Sequence, residues 1–343
     1  MIYGLMADIH FHSWSAFSST NENGINSRLQ IQLDEVRRCA KEVRDAGGNK
    51  LVIAGDVFHV RGSLAPSVLN PVMDLFSELT DDGFEIEILA GNHDLEGKNA
   101  DRVSSAITAL ERAGCKVINS PVSDGVMLSY IPWFNSVKEL KEILTAASPV
   151  ATGDLILHAP IDDVIYGLPS HGLTADFLSK LGYNRVFSGH YHNHKDFGNA
   201  VYSIGALTHQ TWSDVGAKAG FLIVHEDKVV WRKSHAPAFV DIHGDTPEED
   251  VPLMVDGNYI RIKTTENKAA KLQELRKWLI DDCGAVGVII QSVRESKEAR
   301  TTSVKSGLTL EASVKSFIDT GEFENKEALA LNCAKLLEEV IEL

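Results

Sequence analysis

The sequence predicts an α/β sandwich extended by a small βαβ unit and a terminal pair of helices, and three observations predict it. Short apolar runs alternate with stretches of helical periodicity through the first half of the chain. Each run stops at a polar cluster that contains Asp, Asn or His, and in open α/β sheets this carboxyl edge is where ligands bind. At 343 residues the chain exceeds one average domain, so a large core with smaller appendages is expected.

Residues 2–7 read as a buried strand that stops at Asp8-Ile9-His10. The stretch 12–26 is too rich in Ser and Asn for regular structure and reads as a surface loop. Leu29, Leu33, Val36, Ala40 and Val43 then recur at helical spacing, and Gly47-Gly48 ends that helix. Residues 51–54 form the next strand, which stops at Gly55-Asp56. Pro66 opens a helix carrying Leu69, Met73 and Phe76, with Gly83 past its end. Strand 85–90 ends at Gly91-Asn92-His93-Asp94, strand 154–157 at His158, and strand 185–188 at Gly189-His190-Tyr191-His192. Residues 201–207, 219–225 and 229–233 read as an antiparallel finishing section.

A Pro- and Asp-rich stretch at 236–258 marks a boundary. Beyond it, strand 259–263, a helix on Leu272, Leu275 and Leu279, and strand 286–290 make the βαβ unit. A polar, basic-leaning segment at 295–306 separates this unit from two helical stripes. The first is Leu310, Val314, Phe317 and Ile318, stopped by Gly321; the second is Leu329, Cys333, Leu336, Leu337 and Val340 behind an Asn325 cap.

Composition narrows the class. Hydrophobic content of 44% with 24% charged residues is that of a soluble globular protein, and no apolar run approaches the roughly 20 residues that span a bilayer. The N-terminal residues lack the pattern of a secretion signal, which points to the cytoplasm. Cys39, Cys115, Cys283 and Cys333 are scattered, which argues against a disulfide framework or a thiolate zinc site. A formal net charge of -15 opposes binding of a polyanion by this chain alone. Either the substrate is not a long polyanion, or bound metal and a basic partner supply the attraction.

Taken singly, the strand-end residues have ordinary explanations as caps, turn formers or satisfied histidines. As a set, Asp8, His10, Asp56, Asn92, His93, His158, His190 and His192 are harder to dismiss. Carboxylates and an amide oxygen mixed with imidazoles suit Mn²⁺, Fe²⁺ or Zn²⁺. A binuclear site needs a bridging ligand, and Asp56 is the candidate because the two oxygens of a carboxylate can face two cations. Metals roughly 3.5 to 4 Å apart can activate a shared water and clamp the attacking and leaving oxygens of a phosphoryl group. Gly55 and Gly91 permit close backbone approach at these crowded turns.

In order and context, Asp8-Ile9-His10, Gly55-Asp56, Gly91-Asn92-His93-Asp94, His158 and Gly189-His190-Tyr191-His192 resemble the motifs of calcineurin-like metallophosphoesterases. The resemblance implies a four-layer α/β sandwich core and two divalent metal ions, Mn²⁺ being favoured. It implies that Asp8, His10, Asp56 and His192 hold one metal, and that Asp56, Asn92, His158 and His190 hold the other. His93 then resembles the general acid or transition-state stabiliser beside the leaving oxygen. Asp94 either orients that ring or is a plain turn carboxylate.

Three further features resemble the SbcD-type and phage recombination nuclease subunits of ATPase-nuclease repair complexes. Gly55-Asp56-Val57-Phe58-His59 extends the second motif, and the resemblance implicates His59 in catalysis. Asn258-Tyr259-Ile260-Arg261-Ile262 opens the βαβ unit where that family places its cap, and the terminal helices resemble its docking element for an SMC-like ATPase. The implied organisation is a nuclease core at 1–240, a cap at 258–293 and a docking element at 308–343. The implied activity is a metal-dependent DNA exonuclease, 3'-to-5' on double-stranded ends, with endonuclease activity. The same resemblance implies a homodimer with contacts near 66–77 or 103–113, working in the cytoplasm, or in the host cytoplasm for a phage-encoded chain. Trp133-Phe134 and Thr211-Trp212 add aromatics near strand ends that suit base stacking or rim packing. The rival readings are a small-molecule or protein phosphatase or phosphodiesterase of the same superfamily, and a non-catalytic scaffold for an ATPase. For the tail, packing back on its own domain is the alternative.

Overall fold

A computed structural model of the chain describes residues 1–96, 106–243, 246–266, 268–292, 310–321, 323 and 325–341. The expected linker at 295–306, the first residues of the expected contact helix at 103–105, and positions 293, 308–309 and 342–343 lie outside the described residues. So do the side chains of Leu310, Leu336, Leu337 and Val340. The chain forms two compact units, Met1–Gln291 and Ser292–Leu343.

The first unit begins with β1 (Tyr3–Met6), α1 (Ser27–Asp45), β2 (Lys50–Ala54), α2 (Pro66–Asp81) and β3 (Glu85–Leu89). A 3₁₀ segment, Ala106–Ala113, leads into β4 (Lys116–Ile118), β5 (Val122–Ser123) and β6 (Leu128–Ile131). Then come α3 (Val137–Ala147), β7 (Asp154–His158), α4 (Ala175–Ser179), β8 (Arg185–Gly189), β9 (Lys195–Asp196) and β10 (Val201–Ser203). After β11 (Gly220–Val224) and β12 (Val229–Lys233), β13 (Phe239–Ile242) and α5 (Val251–Val255) precede β14 (Tyr259–Thr264), α6 (Ala269–Lys277) and β15 (Gly287–Ser292).

Two six-stranded sheets carry the core, in the orders β12-β11-β1-β2-β3-β4 and β5-β6-β7-β8-β10-β9. Period-two alternation decides what each strand buries. Leu5, Val52, Leu89, Ile156 and Phe187 fill the space between the two sheets. Met6, Leu51 and Ile53 instead face outward, onto the apolar stripes of α1 and α2. Leu155 and Leu157 face the second helical layer, where Leu140 of α3 and Leu178 of α4 cover them. The result is a helix–sheet–sheet–helix sandwich, the α/β fold expected. α1 begins where the Asn26 side chain accepts the orphan N–H groups of Arg28 and Leu29.

Two buried polar ties join the sheets. Tyr3 Oη donates to Asp154 Oδ2 at 2.8 Å, and Arg185 holds both Asp154 oxygens while donating to the His225 carbonyl. Tyr130 Oη donates across the sandwich to Glu87, which also pairs with Lys50 at 3.0 Å and Lys116 at 2.9 Å.

The structure corrects the reading of 201–207 as part of an antiparallel section. β10 stops at Ser203 and pairs parallel with β8 inside the second sheet, while β11 and β12 run antiparallel beside β1 at the edge of the first. Gly205, at φ 84°, turns the chain between them. A third sheet, β13-β14-β15, contains the βαβ unit and gains β13 from the Pro- and Asp-rich stretch. β13 pairs parallel with β14, and Asp241 and Arg261 lock the two at 2.5 Å. In the second unit, α7 (Leu310–Thr320) and α8 (Lys326–Ile341) follow each other, and Asn325 caps α8 by accepting from Ala328 N. Among the described residues no helix is long and apolar enough to cross a membrane.

Candidate metal centre

The strand-end turns are held open by backbone conformations that L-residues rarely adopt. Asp8, His10, Asp56 and His190 all have positive φ, at 50°, 49°, 54° and 102°. Each such residue costs on the order of 1–3 kcal/mol, a strain typical of functional sites. Here it is sustained by pairing between the turns: Asp8 N donates to the Gly55 carbonyl, His10 N to Asp56 and Phe11 N to Val57. Gly55 and Gly91 make this crowding feasible. A Cβ on Gly55 would collide with the His158 ring, and one on Gly91 with the Asp56 carboxylate.

The seven expected metal-ligating side chains are brought together. Asp56 stands between two sets of donors, with Oδ2 3.5 Å from His10 Nε2 and Oδ1 3.5 Å from His158 Nε2. On one side His10 Nε2 faces His192 Nε2 at 3.3 Å, and the donor atoms of Asp8, His10 and His192 lie within 4.8 Å of one another. On the other, Asn92 Oδ1 lies 3.0 Å from His158 Nε2 and 2.9 Å from His190 Nδ1. Asp8, Asp56 and His158 form a second such group. Asp8, His10, Asp56 and His158 are almost wholly shielded from solvent.

Electrostatics shows what this cluster is built to receive. Burial pushes Asp8 up to about 6, although His158 pulls the other way. Burial likewise drives His190 down to about 3, and His10 well below its usual value, helped by the neighbouring histidines. These rings present lone pairs at neutral pH. For His158 burial opposes the charged form, but the Asp56 and Asp8 carboxylates outweigh it and raise its pKa. Two imidazole nitrogens facing each other, with the buried Asp8 carboxyl that resists ionisation, are stabilised together by a cation between them. The donor set of carboxylate and amide oxygens with imidazoles fits divalent transition-metal ions.

Second partners fix which nitrogen faces inward. The His158 Nδ1 group bonds the Ala54 carbonyl at 2.7 Å, leaving Nε2 for the centre. His192 Nδ1 bonds Asp214 Oδ1 at 2.7 Å; burial opposes the charged ring, but this bond together with the Asp8, Asp214 and Asp56 charges raises His192 to about 8. Asp214 Oδ2 accepts the amides of Gln210 and Thr211, and the Gln210 side chain reaches the Asp8 carbonyl at 2.7 Å. Gln32 braces the Ile9 and His10 carbonyls from α1. Sequence reasoning missed Asp214, Gln210 and Gln32. The Thr211-x-x-Asp214 spacing was a visible signal, since it forms a capping box here, but it announces a helix cap rather than a ligand's support.

His93 sits at the rim of the cluster. Its Nδ1 bonds the His59 carbonyl at 2.7 Å, and its ring centroid is 4.7 Å from that of His10. The His59 ring lies nearly parallel to His93 at 5.6 Å and contacts His12 and Trp14, two aromatics the sequence reading left in the surface loop. Burial and the neighbouring histidines lower His59 to about 4. Asp94 does not orient the His93 ring. Its carboxylate accepts from the amides of Asp56, Val57 and Gly91, so it is the brace of two turns, and burial beside Asp56 raises it to about 7. Trp133 stacks on His190 at 4.9 Å, whereas Trp212 packs against Phe239 at the third sheet.

Comparison with known proteins matches the sequence that builds this site to a family. Calcineurin-like phosphoesterases match residues 1–194. Exonuclease subunit 1 of Enterobacteria phage T4 is 28% identical over 200 residues, 56% of this chain and 57% of that protein. The DNA double-strand break repair protein Mre11 of Methanopyrus kandleri is 36% identical over 91 residues, 26% of this chain and 19% of that protein. The chain thus spans little more than half the length of one curated relative and about a fifth of the other. A dimetal phosphatase from Danio rerio aligns over 68% of this chain and 95% of its own at 12% identity and a TM-score of 0.41. Pseudomonas putida nuclease MPE aligns over 56% and 62% at 19% identity and a TM-score of 0.29. With more than half of its length matched, the chain belongs to the calcineurin-like phosphoesterase family, whose members are metal-dependent phosphoesterases.

Proposed function

We propose that the chain is a two-metal DNA nuclease, acting 3'-to-5' on double-stranded ends and also as an endonuclease. The observation that carries this reading is the convergence of seven donors on both sides of Asp56, with His93 at the rim. Asp8, His10, Asp56 and His192 would hold one ion, and Asp56, Asn92, His158 and His190 the other. When bound, the pair supplies neutralisation of phosphoryl charge and makes water acidic near neutral pH, and Mn²⁺ suits the donor set. The similarity to a phage exonuclease subunit and to a break-repair protein supports DNA as the substrate.

The chain's own residues have separable tasks in this reading. Because the His59 carbonyl can only accept, His93 carries its proton on Nδ1, and Nε2 can donate to a departing sugar oxygen only from the doubly protonated ring. His59, held neutral, offers a hydrogen bond and a flat face to the strand rather than charge. Asp214 keeps His192 in the tautomer that turns Nε2 inward.

The proposed organisation is a nuclease core at 1–240, a cap at 258–293 and a docking element at 308–343 for an SMC-like ATPase. The separate compactness of Ser292–Leu343, with Phe317, Phe323 and Leu331 exposed, supports the docking role. A homodimer is part of the same proposal, as is the notion that a DNA-binding partner offsets the net charge of -15. The test is to supply the purified chain with Mn²⁺ and compare end-labelled linear duplex DNA with a phosphomonoester, with and without a candidate ATPase. Progressive loss of the 3' label is expected. Hydrolysis of the monoester with the DNA left intact would establish the phosphatase reading instead.

A further inference from the structure

The loop after His158 carries a feature that phosphoester chemistry alone does not use. Its neck is closed by the buried carboxylate of Asp162, which accepts from Ser170 Oγ at 2.6 Å, His171 N at 2.7 Å and Gly172 N at 3.1 Å. Its flank is tied to the segment that follows His192: Asn193 Nδ2 donates to the Val164 carbonyl and Lys195 Nζ to that of Asp163. The tip so held displays Ile165 and Leu168 at 40% and 49% exposure and Tyr166 at 104%. An anchored loop that holds a tyrosine ring wholly in solvent forgoes the burial such a ring normally gains.

Between this loop and residues 213–217 lies a cavity of about 500 Å³, and its inner wall contains His190 and His192. Among its described lining residues the one carboxylate is Asp214, whose oxygens are already committed to His192, Gln210 and Thr211. Apart from this carboxylate and the two donor histidines, the walls are uncharged: the rings of Tyr166 and Tyr191, the aliphatic Val164 and Val215, and polar edges from Ser213 and Asn193. Such a surface is unsuited to a second phosphate and suited to a flat, uncharged ring with hydrogen-bonding edges. Whatever fills it touches the rings of two donor histidines, which is the reach of a nucleoside attached to a phosphorus at the donor cluster.

We propose that this cavity is a nucleobase subsite, with Tyr166 covering one face of an unpaired base joined to the phosphodiester under attack. The assignment rests on the nuclease reading above. A paired base cannot leave its stack to enter without a cost, so the subsite favours frayed ends and single strands over intact duplex. Every base offers a π-face, so the preference is for a base as such rather than for one sequence.

Two esters with one leaving group test it: p-nitrophenyl thymidine 5'-phosphate and methyl p-nitrophenyl phosphate, each followed with the full chain and Mn²⁺. The readout is the ratio of their kcat/KM values. The wild-type chain is expected to favour the nucleoside ester, and Tyr166→Ala to lower that ratio by about 5- to 100-fold, the usual range for one lost stacking partner. Tyr166→Phe, which keeps the ring, retains the ratio. A wild-type ratio near unity overturns the proposal, as does an Ala variant that keeps the wild-type ratio, which would assign the loop to a protein partner. Linear DNA is assayed separately. If it stays intact while both esters are cleaved, the nuclease reading fails, and the ester ratio still decides whether the cavity accepts a base.

Discussion

Replacing Asp214 with Asn separates the support of the centre from its donors. The Asp214 side chain is buried, with Oδ1 2.7 Å from His192 Nδ1 and Oδ2 accepting the amides of Gln210 and Thr211 at 2.8 and 2.9 Å. Its hydrogen bond, aided by Asp8 and by its own charge, lifts His192 from 6.5 to about 8 against burial. At 1.36 kcal/mol per pH unit this is a net effect of about 2 kcal/mol, what the carboxylates leave after burial has opposed them. An asparagine has one acceptor oxygen where two are needed. Turned towards His192, its NH₂ confronts two backbone donors, and the turn loses a cap worth about 1 kcal/mol. Turned away, it leaves His192 without a partner, and loss of such a partner typically costs 10- to 100-fold in metal affinity. The expected result is a rise of about 10- to 100-fold in the Kd for Mn²⁺, measured calorimetrically on chelator-stripped protein, with turnover recovered at saturating metal. An unchanged Kd combined with turnover lost at saturating metal would refute the reasoning, because Asp214 would then act on the chemistry and not on the ligand.

Three further outcomes are expected. His93→Ala should abolish turnover yet keep two metals per chain by elemental analysis, whereas Asp56→Asn should lose occupancy as well; equal loss in both would overturn the division of roles. Gly55→Ala, which adds a Cβ against the His158 ring at φ 92°, should lower metal occupancy even where circular dichroism shows a folded chain, and full occupancy would contradict the crowding argument. The metal-free protein should lose thermal stability as pH rises from about 7.5 to 8.5, by about a degree or two in Tm. In this window the depressed rings of His10, His59 and His190 are neutral when folded and almost wholly neutral when unfolded, so they contribute little slope. The raised His192 and Asp94 bind more protons folded than unfolded, so their contribution present at lower pH is lost through about 7 to 8. Saturating Mn²⁺ should remove the slope, and a metal-free Tm that climbs across this range would refute the assignment.

The fold was most legible where a strand is buried on both faces. Residues 51–54 and 155–157 are continuous apolar runs because helices cover one side of their sheet and a second sheet covers the other. The pairing of a short strand was not legible: β10, read as a strand over 201–207, has three residues, and its partners follow from sheet order, which a local pattern does not encode. β13 was hidden because its pairing with β14 depends on a distant stretch and on the Asp241–Arg261 pair. In the site, residues at strand ends announced themselves by type and position. Asp214, Gln210 and Gln32 did not, since each acts on a donor's second nitrogen or on a backbone carbonyl, a task that any polar residue of suitable reach can perform. Asp94 stayed undecided in the sequence for the converse reason: it is adjacent to His93, but its three acceptor bonds go to backbone amides, as in the turn-carboxylate alternative.

The Tyr3–Asp154 and Glu87–Tyr130 ties acquire a meaning beyond stability. The donor cluster straddles a seam, with Asp8, His10, Asp56 and Asn92 delivered by one slab and His158, His190 and His192 by the other. An apolar seam alone resists separation but slides easily, because dispersion is nearly indifferent to small lateral offsets. Directional bonds across it act as dowels, locking the two slabs against slippage that would pull the halves of the centre out of alignment. A lesion at Tyr130, remote from any ligand, would then surface first as imprecise metal geometry while the fold itself survived.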